Sequence, residues 1–389
     1  MKIGHYYDSV EPFRKEKIVY AHFLNPHRIL SSCRYNGGLR EDIEYLYNHQ
    51  SCEPSNHVGT DLCKVAVGDP ERYQKRICSM AGLPYKTSAS LGTAANMHNA
   101  AIAQASFRGF ETIAVTTAGV GSNGARAGDP ASYYQTENGA ESLGKPTPIA
   151  GTINIMLFLS EELSPGALVV ASTLIAEAKA SILQELAIPS RYSDGIATGT
   201  GTDQIGIACL LGTRIQHTDA NKHSKTGELI GNVVRESLAQ ALNLQSGLTP
   251  DARRSCIAHL QRFGEKQETF IEGVLKNLPN KEIQALFRNN FLSVNHDPMA
   301  VAATQALVHL RDQIASGILP KTCIHEILLT YAAQIVKLVS QKPFETERFR
   351  KEIDTFPVSI ENKPFLNLIH KSFALGFTQK WENRFEDKT

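Results

Sequence analysis

The chain has 389 residues, enough for one large domain or for a main domain with an appendage. Its 40 lysines and arginines nearly balance its 39 aspartates and glutamates, so its net charge gives no reason to expect nucleic acid or an anionic membrane as a partner. The first residues contain no apolar signal-type segment, and no long uninterrupted apolar run follows. We therefore expect a cytoplasmic protein that recognises its ligand through local sites.

The seven cysteines are scattered, odd in number and without a C-x-x-C pair. This pattern indicates neither a disulfide framework nor a zinc knuckle, and we expect mostly structural, reduced thiols. Cys52, close to His49, is a minor candidate for a nucleophile, although no triad partners can be named for it. No H-E-x-x-H spacing occurs, and His217 with His223 is too loose a pair to predict a zinc site.

The composition changes near residue 245. Before this point, glycine- and threonine-rich turns separate short β-rich runs. From about Thr249 onward, glycine is scarce and apolar residues recur at helical spacing. The sequence therefore predicts an α/β domain over residues 1–245, with a mixed sheet and flanking helices, and an all-α region over residues 246–389.

In the first region, strands are predicted where apolar runs are bounded by glycine, asparagine or serine. These runs are Arg28–Cys33, Thr112–Ala118, Ile153–Leu159 and Gln204–Leu210. Composition predicts helices over Ala95–Phe107 and Glu228–Leu242, and a Ser-Pro start predicts another over Gly166–Leu186. The polar stretch Gly119–Lys145 is predicted to be a long surface loop, of the kind that often carries function.

The segment Gly119–Gly124 contains a literal G-x-G-x-x-G after a predicted strand. A dinucleotide site needs a helix that opens on the last glycine and holds the pyrophosphate. Gly128 and Pro130 stand where that helix would run, so the match is weak. A nucleotide-dependent transferase built on this loop remains one alternative function.

The same glycine-rich loop has a second interpretation as a ligand-binding loop. Glycines let backbone amides approach a bulky ligand closely. Asn123, Arg126 and Asp129 add side chains that can hydrogen-bond carboxamide groups. A solvated loop without function is the other possibility.

Five polar blocks follow one another along the first region. They are Asn36–Asp42, Gly151–Asn154, Glu177–Lys179, Thr198–Asp203 and His223–Gly231. In this order they resemble the adenosylcobinamide amidohydrolase family, over about residues 28–243. Gly247–Gly264 also resembles the C-terminal extension of longer members of that family.

The resemblance implies hydrolysis of the amide that joins aminopropanol, or the whole nucleotide loop, to a propionate side chain of the corrin ring. The product would be adenosylcobyric acid, which re-enters cobamide assembly. The expected partner is a corrinoid substrate, whose cobalt belongs to it, and no separate cofactor is expected. A homodimer is possible, and a non-catalytic corrinoid-binding or delivery protein is the second alternative function.

Hydrolysis of an unactivated amide needs an activated nucleophile, donors for the developing oxyanion and a proton for the departing amine. The site candidates are the residues of the polar blocks and the glycine-rich loop whose side chains or backbone could serve these purposes or bind the substrate. The catalytic candidates are Asp203, Lys179, Glu177, Asn154 and His223. The substrate-binding candidates are Asn36, Gly37, Gly38, Arg40, Asn123, Arg126, Asp129, Thr152, Thr202 and Glu228.

Helical spacing separates two of these candidates. Lys179 falls on the apolar stripe of its predicted helix, whereas Glu177 falls nearly opposite. Lys179 could instead bury its stem and keep its amine in water, and Glu177 could lie on a solvated helix face. Asp203 could cap local backbone amides, and His223 could belong only to the capped start of a helix.

Overall fold

The structure is a computed structural model that describes residues 1–52, 61–137, 139–144, 151–342, 351–352 and 357–381. It divides into two compact units, Met1–Thr249 and Pro250–Thr389. The first contains mixed sheets with flanking helices and the second is helical, so the predicted fold class is confirmed. The predicted domain limit at 245/246 stays a prediction.

The strands of the first unit are β1 Val10–Lys15, β2 Ile18–Phe23, β3 His27–Ser31, β4 Gly38–Arg40, β5 Tyr45–Gln50, β6 Ser88–Thr93, β7 Ala101–Phe107, β8 Phe110–Ala118, β9 Gly124–Ala125, β10 Tyr133–Thr136, β11 Gly139–Ser142, β12 Ile153–Leu159, β13 Glu162–Leu163, β14 Gly199–Thr200, β15 Gln204–Leu210 and β16 Gln216–His217. Its helices are α1 Asp61–Gly68, α2 Pro70–Ala81, α3 Pro165–Glu185 and α4 Lys225–Ser246.

Two larger sheets form the centre of this unit. One has six strands in the order β4-β3-β15-β12-β8-β7, with β12 and β15 parallel and the other neighbours antiparallel. The other has four strands in the order β1-β2-β5-β6, with β5 and β6 parallel. The remaining strands pair as β10-β11, β13-β16 and β14-β9.

The two sheets and four helices form four layers. Leu46 of β5 and Leu91 of β6 share a buried cluster with Phe158 of β12, which places this core between the sheets. On its other face the six-stranded sheet packs against α3 and α4. Tyr47 of β5 packs with Ile77 of α2, so helices also cover the other face of the four-stranded sheet.

Most predicted elements of this unit are observed, with small shifts in their limits. Strands β12 and β15 have the predicted limits. Helix α3 begins as the Ser-Pro start indicates, because the Ser164 side chain accepts a hydrogen bond from the backbone N–H of Ala167. Helix α4 begins earlier than predicted, with Ser224 capping it through the N–H of Gly227.

The predicted helix over Ala95–Phe107 is wrong. The segment contains a 3₁₀ turn at Met97–Asn99 and then, from Ala101 onward, strand β7, which pairs along its whole length with β8. Arg108 and Gly109 both have positive φ, which suits the two-residue turn of a hairpin. Alanine-rich composition favoured a helix, and the pairing with β8 overrides that preference.

The predicted surface loop Gly119–Lys145 also needs correction. Its described part contains the short strands β9, β10 and β11, while Lys145 lies outside the described residues. Because β9 rather than a helix begins at Gly124, the described structure offers no helix N-terminus there for a pyrophosphate. The nucleotide interpretation of the glycine motif therefore loses its structural basis.

The second unit is built from helices around an aromatic core. Among the described residues, the helices with defined limits are α5 Cys256–Leu260, α6 Gln267–Leu275, α7 Lys281–Asn295, α8 Pro298–Ala315, α9 Ile324–Ser340 and α10 Asn362–Trp381. Phe270, Phe287 and Phe373 are among its fully buried side chains. Each lies on a different helix, so one shared core holds the bundle together.

Two segments, Pro165–Glu185 and Lys321–Ser340, are long and apolar enough to cross a membrane by length and composition alone. Charged residues interrupt both segments, such as Glu177 and Lys179 in the first, so neither is the uninterrupted apolar run that the sequence was expected to lack. The first segment is α3, which packs in the core of the first unit. Apolar core helices pass the same test, so the finding is weak support for a membrane span.

Candidate active site

Two of the polar blocks, Gly151–Asn154 and Thr198–Asp203, meet the glycine-rich loop at one edge of the six-stranded sheet. Strand register places Ile153, at the start of β12, opposite Ala118, at the end of β8. The parallel neighbour β15 begins beside β12, with Gln204 opposite Asn154. We call residues 119–123, 151–154 and 198–204 the polar edge.

An ion pair joins helix α3 to the polar edge. The Nζ atom of Lys179 lies 2.5 Å from Oδ2 of Asp203, and their side chains are only 16% and 12% exposed. A Cβ atom at Gly199 would collide with both groups, so glycine is required for this close approach. The ammonium of Lys179 is therefore held by a carboxylate instead of standing alone in water.

Asp203 is saturated with hydrogen-bond donors. Besides Lys179, it accepts from the backbone N–H of Ile153 at 3.0 Å, from the backbone N–H of Thr200 at 2.9 Å and from the Thr200 hydroxyl at 2.5 Å. Four donors occupy the roughly four lone-pair positions of a carboxylate. This arrangement suits Asp203 to hold the turn and Lys179 in place, and leaves it poorly placed to take a proton from water.

Hydroxyl and amide groups lie together on the same edge. The hydroxyl oxygens of Thr152 and Thr202 are 2.6 Å apart. The Asn123 side chain donates to the carbonyl oxygen of Gly151 at 2.7 Å, and Thr202 donates to the same oxygen at 3.1 Å. Asn123 is 1% exposed and Thr152 is 5% exposed, whereas Thr202 is exposed, so Thr202 is the member of this group that a ligand can reach.

Tyr192 belongs to this group but lies outside the five blocks. Its hydroxyl donates to Oδ1 of Asn123 at 2.5 Å. Its position depends on the neighbouring Arg191, whose backbone N–H donates to the carbonyl oxygen of Gly124 at 2.8 Å. No spacing or motif in the sequence signals this long-range contact.

Asn154 lies in the space between the two sheets and is fully buried. Its amide nitrogen donates to Oδ1 of Asn48 at 2.9 Å and to the carbonyl oxygen of Gly92 at 3.0 Å. Asn48 in turn donates to Thr117 at 2.8 Å. Successive strand residues point to opposite faces, so Asn154 is directed away from the helix-covered face on which Lys179 lies. The contacts favour a role in joining the sheets.

The Asn36–Gly38 turn lies on the same side of the sheet as the polar edge, because Ser31 of β3 pairs with Gly38 of β4 on one side and with Gly206, near the start of β15, on the other. Asn36 has a positive φ, and its amide nitrogen, with two hydrogens to donate, lies within hydrogen-bond distance of three backbone carbonyl oxygens, including that of Lys86 at 2.9 Å. A Cβ atom at Gly37 would collide with the carbonyl of Cys33. These contacts shape the turn itself. Arg40 pairs with Asp42, with Nε lying 2.7 Å from Oδ1.

Asp129 braces the loop that carries Asn123. It accepts from the backbone N–H of Arg126 at 2.7 Å and from the hydroxyl of Ser190 at 2.6 Å. Burial by itself would raise the pKa of Asp129, but these hydrogen bonds and that from Ser193 outweigh it and lower the pKa below its ordinary value. The Arg126 side chain is exposed.

Three predicted site residues are not brought to the polar edge. Glu177 forms an exposed ion pair with Lys222 on the helix surface. His223 and Glu228 lie at the start of α4, where Lys225 contacts the ring of Phe107 near the opposite end of the sheet. Their catalytic and binding roles stay predictions, and we leave them out of the site assigned below.

The cysteine candidate is also not supported by its surroundings. Cys52 is buried, and the neighbouring His49 hydrogen-bonds the hydroxyl of Tyr73 at 2.6 Å. Burial lowers the pKa of His49 to about 4, so its imidazole is neutral at ordinary pH. Among the described residues, no three side chains of the metal-binding types come together.

Comparison with known proteins identifies the family. The family model described as adenosylcobinamide amidohydrolase matches residues 4–250, the length of the first compact unit. The chain is also 31% identical over 247 residues to an uncharacterized protein of Methanocaldococcus jannaschii, covering 62% of this chain and 91% of that protein. The helical unit lies beyond the family match. The chain belongs to the adenosylcobinamide amidohydrolase family.

Proposed function

We propose that the chain hydrolyses the amide between a corrin-ring propionate and aminopropanol, or the nucleotide loop, of adenosylcobinamide or a related cobamide. The product is adenosylcobyric acid. Family membership implies amidohydrolase activity in general. The observation that supports the specific proposal is the Lys179–Asp203 ion pair, which lies on the polar edge with the Thr152–Thr202 hydroxyl pair.

The donors on this edge suit one step of amide hydrolysis, the stabilisation of the developing oxyanion. When water adds to the amide carbon, negative charge develops on the carbonyl oxygen and needs donors fixed in advance. The ammonium of Lys179 is the donor that we assign to this oxygen, and the Thr202 hydroxyl can join it by turning its one proton from the carbonyl oxygen of Gly151 toward the substrate. Asp203 is a positioning residue, because its carboxylate holds Lys179 against the edge.

The reaction uses no separate cofactor in this proposal, and the cobalt enters as part of the substrate. The substrate amide would lie against the surface formed by Asn123, Thr152 and the glycine turns of the polar edge. Both hydrogen atoms of the attacking water are accounted for. Water supplies the hydroxyl of the new carboxylic acid and one proton for the departing amine.

The direct test is to incubate the purified full-length chain with adenosylcobinamide and to measure the corrinoid and aminopropanol by mass spectrometry. We expect adenosylcobyric acid and aminopropanol in equal amounts without ATP, added metal or nicotinamide. A parallel reaction without protein corrects for spontaneous hydrolysis. Absence of product from folded protein that binds the corrinoid would overturn the proposal and favour a binding protein.

A further inference from the structure

The hydrogen bonds around Asn123 have a direction that the chemistry of the groups fixes. The carbonyl oxygen of Gly151 can only accept, so the atom of Asn123 that faces it at 2.7 Å is the amide nitrogen. The other end of the side chain is therefore the amide oxygen, which can only accept. The hydroxyl of Tyr192, 2.5 Å away, must donate to it.

The amide nitrogen of Asn123 also reaches Oγ1 of Thr202, at 3.4 Å. Two less exposed residues, the half-buried Tyr192 and the buried Asn123, are thus linked by hydrogen bonds to the hydroxyl of the exposed residue Thr202. A Cβ atom at Gly201 would lie 3.3 Å from Oδ1 of Asn123, so the Thr-Gly-Thr turn packs closely over this amide. A change in the orientation of Asn123 would therefore alter the hydrogen bond to the Thr202 hydroxyl.

Tyr192 is itself held firmly. Its backbone N–H donates to the hydroxyl of Ser190 at 3.0 Å, and Ser190 donates to Asp129. The Nε atom of the adjacent Arg191 donates to the carbonyl oxygen of Gly121 at 2.9 Å. Burial, with a smaller contribution from Asp129, raises the pKa of Tyr192 above its ordinary value, so its hydroxyl keeps the proton that it donates.

From this geometry we propose that Tyr192 is a positioning residue for the reaction at the polar edge. It satisfies the buried oxygen of Asn123 and thereby fixes the amide that directs the Thr202 hydroxyl. The role rests on the proposed function. It adds a residue that lies in none of the five sequence blocks and that contacts Asn123 through a single hydrogen bond.

The test is a double-mutant cycle with Tyr192→Phe and Asn123→Ala. Loss of the hydroxyl should lower kcat about 10-fold while KM changes less than about 2-fold, because orientation is lost and substrate contacts are kept. If Tyr192 acts through Asn123, the double variant should have the kcat of Asn123→Ala alone. Tyr134→Phe is the matched control, since Tyr134 is 65% exposed on β10 and should leave kcat unchanged.

Melting temperatures measured on the same preparations separate this role from a purely structural one. If Asn123→Ala does not fold, Thr202→Ala replaces it in the cycle, with the same expectation of no further loss from Tyr192→Phe. Full activity of Tyr192→Phe, or multiplicative losses in the double variant, would overturn the role of Tyr192 while leaving the proposed function intact. An inactive wild-type chain would overturn both.

Discussion

Replacing Lys179 with methionine tests the ion pair at the centre of the proposed site. Methionine keeps an unbranched stem of similar length and suits the apolar face of α3, but it removes the ammonium. Asp203 then loses the donor that lies 2.5 Å from Oδ2 and keeps the donors from Ile153 and Thr200. The substitution therefore removes one charge and little packing.

The expected loss of stability follows from the burial of the pair. Removing one partner of a fully buried ion pair costs about 3–5 kcal/mol. Here 16% of the lysine and 12% of the aspartate side chain remain exposed, and the carboxylate keeps its other donors. We therefore expect a loss of about 1–2 kcal/mol in the free energy of unfolding. For a unit of this size, the melting temperature should fall by roughly 2–8 °C.

The expected loss of activity is much larger than the loss of stability. Removing one preorganised donor to a developing oxyanion lowers turnover by about 10²-fold or more. Lys222→Met is the matched control, because Lys222 forms an ion pair with Glu177 in which 66% and 47% of the side chains are exposed. Exposed pairs contribute little, so this variant should keep both turnover and melting temperature.

The assay is steady-state turnover of adenosylcobinamide and thermal unfolding on the same preparations of the two lysine variants and the wild type. The reasoning requires the turnover of Lys179→Met to be much lower than that of Lys222→Met. Near-normal turnover by folded Lys179→Met would remove Lys179 from the site and would leave its ion pair with a purely structural role.

Three further expectations can be checked with the same measurements. Asp203→Asn should lower turnover by about 10²-fold and also lower the melting temperature, because an amide cannot accept hydrogen bonds from all four donors. Full turnover would contradict the positioning role assigned to Asp203. Gly199→Ala should also reduce turnover, since its Cβ would push Lys179 and Asp203 apart, and unchanged turnover would show that their spacing is unimportant. A chain ending at Thr249 contains the whole first unit. If this shortened chain is monodisperse, gel filtration should show that it binds adenosylcobinamide. Failure to bind would mean that the helical unit contributes to the site.

Local sequence signals predicted much of the first unit. The limits of β12 and β15 followed from apolar runs with polar residues at their ends, and the start of α3 followed from its Ser-Pro cap. Strand β7 was missed because its alanines favour a helix in isolation. The Arg108-Gly109 turn before β8 was the available signal for a hairpin.

The site could be predicted only in part. Helical spacing placed a lysine, Lys179, on an otherwise apolar stripe, and the structure shows the carboxylate that accounts for it. That partner depends on where β15 begins beside β12, which is a long-range register that local patterns do not encode. Asn154 and His223 have suitable chemistry, but the fold directs one between the sheets and places the other at the start of α4.

The most direct test of the proposed hydrolysis is the origin of the new carboxylate oxygen. Adenosylcobinamide should be incubated with the full-length chain in water enriched in oxygen-18, and the corrinoid product analysed by mass spectrometry. We predict adenosylcobyric acid that carries one oxygen-18 atom, together with an equal amount of unlabelled aminopropanol. Corrinoid that is bound and recovered intact, with no aminopropanol released, would contradict the account.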